Sequence, residues 1–253
     1  MTSPPRLAVQ RLQRLVDRAE RAVFFGGAGV STESGIPDFR SADGLYSRQG
    51  RVPPEVILSR DFFAAHPKEF FEFYRSAVAH PEARPNAAHL RLAELERSGQ
   101  LACVVTQNID GLHQAAGSRD VLELHGSVHR NRCPDCGRTF DLAFVCAAKD
   151  VPRCECDGIV RPDVVLYGDP LDVAVLQAAA RAIADADLLI IGGTSLQVYP
   201  AAGLVRHFLG EDLVVINRDG TAPSGRRALT ITEPIGQVLG AIAARGGEPS
   251  RDA

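Results

Sequence analysis

Short, continuous apolar runs alternate along this sequence with segments in which apolar residues recur every three or four positions. Six runs have the length of buried strands and occupy residues 22–25, 101–105, 121–124, 188–191, 213–216 and 228–231. Helical patterns include Leu12, Leu15 and Val16 near the N-terminus and then cover residues 86–99, 172–185, 200–208 and 233–245. We interpret the alternation as an α/β fold in which a parallel sheet is covered by helices on both faces.

Two segments interrupt this alternation. Residues 41–85 contain the adjacent prolines Pro53 and Pro54 and an aromatic-rich stretch, which predicts a loop and short helices in place of a strand. We expect the loop to act as a mobile cover over a bound ligand. The second segment is rich in cysteine. The pattern places the sheet domain at 1–43, 86–127 and 161–245, the helical insertion with its covering loop at 44–85, the cysteine module at 128–160 and a disordered tail at 246–253.

Composition limits the classes of protein to consider. The 253 residues are 45% hydrophobic and 23% charged, which suits one large core plus an insertion. A net charge of −3, a pI of about 6.2 and scattered arginines argue against a nucleic-acid partner. No apolar window is long enough to span a bilayer, and the charged N-terminus lacks the apolar region of a secretory signal. We therefore expect a cytoplasmic protein without a membrane partner, whose oligomeric state the sequence leaves open.

A glycine-rich turn follows the first predicted strand. Gly27 and Gly29 fill the first two positions of the dinucleotide-binding pattern G-x-G-x-x-G, and Thr32 stands at the third. Glycines let the backbone approach a ligand closely, and hydroxyls beside free backbone N–H groups suit a phosphate. A glycine-rich turn without a ligand is the alternative. If the turn binds a dinucleotide, the sheet is Rossmann-like.

Polar side chains follow the next two predicted strands at their carboxyl ends. Thr106 to Asp110 come directly after the second strand, and His125 ends the third, with its ring expected to face the cleft. Open α/β sheets bind ligands at this edge. Among the other histidines, His89 and His113 fall in helical patterns that favour packed or solvated rings, and His129 lies near the cysteines and could be mistaken for a metal ligand. His125 is therefore the candidate catalytic histidine.

The cysteine module predicts a structural zinc site. Cys133-x-x-Cys136, followed after 17 residues by Cys154-x-Cys156, supplies four thiolates at a spacing suited to tetrahedral zinc. A loop-rich module of this size has little apolar surface, and a bound metal can contribute on the order of 10 kcal/mol to its folding. Free thiols or disulfides are the alternative, and a cytosolic location disfavours the disulfides. Cys146 lies nearby and could substitute for a ligand.

Five further blocks each combine glycine with polar residues. They are Gly35-Ile36-Pro37-Asp38-Phe39-Arg40, Thr106-Gln107-Asn108-Ile109-Asp110-Gly111-Leu112-His113, Leu124-His125-Gly126-Ser127, Arg161-Pro162-Asp163-Val164-Val165-Leu166-Tyr167-Gly168-Asp169 and Gly193-Thr194-Ser195-Leu196. In this order they resemble the signature of the sirtuins, NAD-dependent protein lysine deacylases. The resemblance implies a Rossmann-like domain with a small inserted zinc-ribbon and helical module, NAD as co-substrate and structural zinc. One departure is the second cysteine pair, where family members commonly have two intervening residues and this chain has only Glu155.

The resemblance also implies a role for each matching residue. His125 aligns with the general base, and Asn108 would order the ribose and a nearby water. The residues implied to bind NAD are Ala28, Thr32, Ile36, Phe39, Arg40, Gln107, Asn108, Ile109, Asp110, Gly193, Thr194, Ser195 and Asn217. Those implied to bind the acyl-lysine protein or peptide are Val165, Tyr167 and Gly168, where a substrate strand can add by β-augmentation. Zinc would be held by Cys133, Cys136, Cys154 and Cys156.

The implied reaction transfers an acyl group from a protein lysine to ADP-ribose. The acyl oxygen attacks the anomeric carbon of the ribose, nicotinamide leaves, and hydrolysis yields free lysine and an acyl-ADP-ribose. Similar enzymes that prefer acidic acyl chains pair a tyrosine with an arginine three residues later, but Tyr74 is followed at that spacing by Ala77, so we expect neutral acyl groups to be favoured.

Two other functions stay open. The first is an ADP-ribosyltransferase that modifies a protein side chain in the same cleft. The second is a non-catalytic protein that binds NAD or acyl-lysine, which the presence of His125, Asn108 and Asp110 disfavours.

Overall fold

Six parallel strands form the central sheet of the protein, for which a computed structural model describes residues 6–39, 44–47, 52–220, 223 and 226–247. The strands in these residues are β1 (Ala22–Gly26), β2 (Leu101–Thr106), β3 (Val121–Glu123), β4 (Gly126–Arg132), β5 (Thr139–Phe140), β6 (Arg161–Val164), β7 (Leu188–Gly192), β8 (Asp212–Ile216) and β9 (Leu229–Ile231). The central sheet has the order β3-β2-β1-β7-β8-β9, and each neighbouring pair is parallel. Each run predicted as a strand is confirmed.

The order of the strands reverses between β1 and β7. From β1 the chain adds β2 and β3 on one side, whereas β7, β8 and β9 add on the other. Both central strands are buried along their whole length because helices cover both faces of the sheet, which explains their continuous apolar sequences. Gly26 and Gly192, at their carboxyl ends, lie opposite each other. A reversal of this kind opens a crevice at the carboxyl edge, where dinucleotide-binding sheets bind their ligands.

Helices pack on both faces of the sheet, as predicted. They are α1 (Arg6–Arg18), α2 (Pro54–Ile57), α3 (Arg60–Ala65), α4 (Pro67–Phe73), α5 (Ala87–Arg97), α6 (Leu112–Ala115), α7 (Leu142–Ala147), α8 (Val173–Ala184) and α9 (Ile235–Gly240). Apolar residues of α1, α5 and α9 pack against one face, and those of α8 pack against the other. The predicted helix at 200–208 is a 3-10 helix, Ala201–His207. No helix in the described part of the chain has the length and apolar character needed to cross a membrane.

The helical insertion and the cysteine module share one apolar core. The described part of the insertion folds as predicted into short helices, α2 to α4, followed by a π turn at Tyr74–Val78. Phe70, Phe71 and Tyr74 are fully buried and pack against apolar residues of the cysteine module such as Val145. Residues 41–43 and 48–51 of the predicted loop, and 248–253 of the predicted tail, lie outside the described residues.

A second sheet, which the sequence did not predict, connects the cysteine module to the central domain. Its order is β5-β4-β6, and β4 pairs antiparallel with both neighbours. The segment 161–164, predicted as part of the central domain, therefore pairs with the strand that leads into the cysteines. The domain boundaries remain a prediction. Because β6 pairs with β4, we propose that the cysteine module extends to Val164.

Candidate active site

The glycine-rich turn after β1 packs directly against the end of β7. It forms two 3-10 turns, Ala28–Val30 and Thr32–Ser34. A Cβ atom added at Gly29 would lie 2.8 Å from Gly193 Cα, and one at Gly27 would lie 2.8 Å from Thr194 Cβ. Only glycine fits at either position, so the two segments meet at the crevice where the strand order reverses. We call residues 27–35 the cradle loop.

Several N–H groups that we expected to be free are engaged within the cradle loop. Gly29 N–H donates to Gly193 O at 2.8 Å, Val30 N–H donates to Gly27 O at 2.9 Å, and Ser31 N–H donates to Ala28 O at 3.0 Å. The expectation fails at these three residues because the loop closes into 3-10 turns. These bonds stiffen the loop. A phosphate would have to be bound by groups of the loop and the crevice other than these three N–H groups.

Polar side chains from β2 and the cradle loop form one hydrogen-bonded network. Ser31 Oγ donates to Asp110 Oδ2 at 2.6 Å and accepts from Asn108 Nδ2 at 3.1 Å. Leu112 N–H donates to Asp110 Oδ1 at 2.9 Å, and Asn108 N–H donates to Thr106 Oγ1 at 3.0 Å. The structure thus brings Asn108 and Asp110 together through Ser31. The sequence pattern of the turn did not predict this linking role of Ser31.

His125 lies half-buried at the end of β3, with one ring nitrogen held by the backbone. Its Nδ1 is 2.9 Å from Gln107 O. Because a carbonyl oxygen only accepts, Nδ1 carries a proton, and Nε2 of the neutral ring is left as the basic nitrogen. Burial lowers the pKa of His125 below its ordinary value, while the hydrogen bond to Gln107 opposes that shift. The ring is therefore a fixed neutral base at neutral pH.

Two amide side chains hold the opposite wall of the crevice. Asn217 Oδ1 accepts from Thr194 N–H at 3.0 Å, and Asn217 Nδ2 donates to Thr194 O at 2.7 Å. Gln107 Nε2 donates to Thr194 Oγ1 at 3.0 Å, which joins this wall to β2. Both Thr194 and Asn217 are buried. Predicted cofactor residues from three strand ends thus occupy one site.

Ile36 and Phe39, also predicted to bind the cofactor, follow the cradle loop in sequence. Ile36 N–H donates to Ser31 O at 3.2 Å, and the Phe39 ring lies 5.5 Å from that of Tyr46. Ile109 packs partly against the core of the two insertions. The structure does not describe Arg40.

The predicted substrate residues form a strip between the two insertions. Val165 N–H donates to His125 O at 2.9 Å, so the strip begins beside the candidate base. Tyr167 bonds through its backbone to both Leu58 and Arg60 at 2.9 Å, and the residue is 44% exposed. The hydroxyl of Tyr167 contacts that of Tyr46. The strip thus runs from the candidate base to the exposed residues Tyr167 and Gly168.

The four predicted zinc ligands meet at one point. Cys133, Cys136, Cys154 and Cys156 have sulfur atoms that all lie within 4.8 Å of one another. The Cys133–Cys156 and Cys136–Cys154 pairs are each 3.5 Å apart. Four sulfur atoms at about 2.3 Å from one zinc ion would be roughly 3.8 Å apart, so this donor set fits tetrahedral zinc.

A tight turn lets the shortened second cysteine pair supply both ligands. Asp157 N–H donates to Cys154 O at 2.9 Å, and Cys154 N–H donates to Gly158 O at 2.8 Å. Cys146 lies outside the cluster and packs partly buried in the core of the two insertions. His129 is held elsewhere, with Nε2 2.9 Å from Asp110 O. Neither residue is needed to complete a set of four ligands.

Comparison with known proteins agrees with this geometry. The profile of the Sir2 family matches residues 27–200. The NAD-dependent protein deacetylase of Clostridium acetobutylicum is 54% identical over 91% of this chain and 96% of its own length, and that of Cutibacterium acnes is 55% identical over 92% and 96%. A solved complex of Sir2 with a p53 peptide and NAD+ is 36% identical, with a TM-score of 0.78 over 91% of this chain and 95% of that chain. A Sir2 homolog–NAD complex is 37% identical, with a TM-score of 0.79 over 91% and 90%. The chain therefore belongs to the Sir2 family.

Proposed function

We propose that this protein is an NAD-dependent protein lysine deacetylase. The observation that carries the proposal is the arrangement of three polar side chains at the carboxyl edge of the sheet. Ser31 of the cradle loop bonds Asn108 and Asp110, and Gln107 O, from the same segment after β2, holds His125. The arrangement combines a neutral base, an amide and a carboxylate beside the predicted substrate strip. Relatives that share about half of their residues with this chain bear the name of this activity.

The crevice suits NAD as the co-substrate, which supplies the ADP-ribose that accepts the acyl group and nicotinamide as the leaving group. The cradle loop, with Ala28 and Thr32, and the opposite wall, with Gly193, Thr194, Ser195 and Asn217, would hold the diphosphate and the adenosine side. Phe39, Arg40 and Gln107 would line the pocket. Ile36, Ile109 and Asp110 would hold the carboxamide end. The close approach of Gly27 and Gly29 to the end of β7 supports this assignment.

His125 would act as the general base through Nε2. A proton taken from a ribose hydroxyl would reside on Nε2, because Nδ1 is already committed to Gln107 O. Asn108 would orient the ribose and a water, with its amide fixed by the Ser31 hydroxyl. Asp110 would stay in place because it accepts from both Ser31 and Leu112.

The strip of Val165, Tyr167 and Gly168 would bind the acyl-lysine peptide. One solved relative contains Sir2 with a deacetylated p53 peptide, and it aligns over 91% of this chain. The Tyr74 side chain is fully buried among Phe70 and Phe71, so its hydroxyl is not presented to a ligand. This burial supports a preference for neutral acyl groups, since an acidic acyl chain would need a polar partner there.

Zinc in the four-cysteine cluster would be structural. The cluster lies in the module that shares a core with the helical insertion, and the candidate base belongs to the central domain. Bound zinc would affect catalysis by stabilising the fold of the two insertions, which support the strip proposed to bind the peptide. Residence in the cytoplasm and the lack of nucleic-acid and membrane partners remain predictions from the sequence.

Product analysis separates this proposal from ADP-ribosyl transfer. The purified protein is incubated with NAD and an acetyl-lysine peptide, and products are identified by mass. Deacetylated peptide, nicotinamide and acetyl-ADP-ribose in equal amounts are expected. A peptide that gains the mass of ADP-ribose would instead favour the transferase, and unchanged NAD and peptide would favour a non-catalytic binder.

A further inference from the structure

We propose that Asn86, at the start of α5, is a positioning residue for the NAD site. This inference rests on the proposed function and adds to it a residue outside the predicted site. Asn86 is the N-cap of α5 and is not part of the crevice itself. Its side chain reaches the outer side of the cradle loop.

The Asn86 amide makes three hydrogen bonds at once. Nδ2 donates to Val30 O at 2.8 Å and to Ser34 Oγ at 2.9 Å. Oδ1 accepts from Ala88 N–H at 2.9 Å, which caps the helix. Both N–H donors of the amide are therefore used on the loop, and its oxygen is used on α5.

These bonds fix the position of the residue on which the active-site network depends. Val30 and Ser34 lie on either side of Ser31, which holds both Asp110 and Asn108. A second anchor lies between them, because Gly236 N–H at the start of α9 donates to Glu33 Oε1 at 2.7 Å. The cradle loop is thus held from outside by two helices. Without the bonds from Asn86, the Ser31 hydroxyl can shift relative to Asp110 and Asn108.

Capping alone does not require asparagine at this position. Aspartate and serine cap helices about as well as asparagine, because capping needs only a side-chain oxygen. Neither can donate two hydrogen bonds to the loop, and aspartate would place a carboxylate oxygen against Val30 O. The substitution Asn86→Asp therefore separates the cap from the loop contacts.

The experiment compares Asn86→Asp with a matched control, Asp172→Asn. Asp172 caps α8 through Oδ1, which accepts from Ala174 and Val175 N–H, and it lies outside the site described above. Calorimetry measures NAD affinity, turnover with NAD and acetyl-lysine peptide gives kcat and KM, and thermal unfolding measures stability. Asn86→Ser is included because it keeps a capping oxygen without adding charge.

We expect Asn86→Asp and Asn86→Ser to weaken NAD affinity about tenfold or more, the scale of one or two lost hydrogen bonds. KM for NAD should rise more than kcat falls, and Tm should stay within a few degrees of wild type. Asp172→Asn should match wild type in affinity and turnover. Undiminished NAD affinity in the Asn86 variants, or a lowered Tm without any loss of affinity, would overturn the proposed role of Asn86 but not the proposed function. Failure of the wild-type protein to bind NAD would overturn the proposed function as well.

Discussion

Two buried imidazoles, His89 and His113, should make the folded protein sensitive to acid. Their ring centroids are 4.8 Å apart, and the residues are 0% and 1% exposed. Burial lowers the pKa of His89 to about 4, although Asp110 nearby opposes the shift. Burial, and then the neighbouring His89, lower the pKa of His113 to about 3. Both rings are therefore neutral in the folded protein at pH 5 and above.

The size of the effect follows from proton linkage. In the unfolded chain both rings titrate near pH 6.5, about the ordinary value for histidine. Below that pH the unfolded chain binds up to two protons that the folded protein does not bind. The free energy of unfolding should then fall by about 2.7 kcal/mol per pH unit from the pair, at about 1.36 kcal/mol for each ring. The pair's contribution is complete above pH 6.5 and is lost as the pH falls toward the folded pKa values.

The surroundings of the two rings also disfavour their protonated forms. His89 Nδ1 accepts from Asn86 N–H at 3.3 Å, which a proton on that nitrogen would prevent. Neither ring nitrogen of His113 has a hydrogen-bond partner among the described residues. At pH 4.5 the loss from the pair reaches on the order of 5 kcal/mol, as large as the whole stability of many domains.

The assay is denaturant unfolding between pH 7.5 and 5, comparing wild type with His113→Leu. Leucine keeps the volume and removes one buried ring, so the slope of unfolding free energy against pH should become shallower by about 1.4 kcal/mol per pH unit below pH 6. Carboxylates titrate in both proteins and cancel in the difference. His207→Leu makes the same change at an exposed residue and is the matched control. Equal slopes for wild type and His113→Leu would refute the reasoning.

Three further outcomes test the proposed site. His125→Ala should leave NAD affinity within a few-fold, because the ring is proposed to act as a base and not to bind phosphate. Deacetylation should fall by about 10²- to 10⁴-fold, with nicotinamide exchange less affected. Near-normal turnover would remove His125 from the proposed mechanism. Cys133→Ala should abolish stoichiometric binding of zinc and lower stability and activity together. Cys146→Ser should retain bound zinc because Cys146 lies outside the cluster. Measuring the zinc content of each purified variant tests both outcomes. Acetyl peptide should give a higher kcat/KM than succinyl peptide, and the reverse order would contradict the argument from the buried Tyr74.

The strands of the central sheet could be predicted because burial on both faces produces a local sequence pattern. A parallel strand covered on both faces, such as β7, is apolar at every position and forms one continuous apolar run. The small sheet around β4 has no such run. The β4 sequence GSVHRNR has polar side chains at exposed positions and pairs with residues about 30 positions away, so no window of sequence contains the pattern.

The sequence alone determined which chemistry the chain can perform. The order of its motifs indicated the Sir2 family, and that resemblance implied His125 as the base and Asn108 as the amide. The spacing of the four cysteines by itself indicated the metal ligands, because metal binding requires particular functional groups.

Tertiary structure decided which of these groups touch. Ser31 reaches Asp110 across 79 positions of sequence, and Asn86 reaches Val30 across 56. The structure likewise chose Cys154 and Cys156 over Cys146, through a tight turn that closes at Gly158. Hydrophobic periodicity records only how deeply a residue is buried. Its hydrogen-bond partner depends on which distant segments the fold brings within about 3 Å, and that is settled only when the whole chain packs.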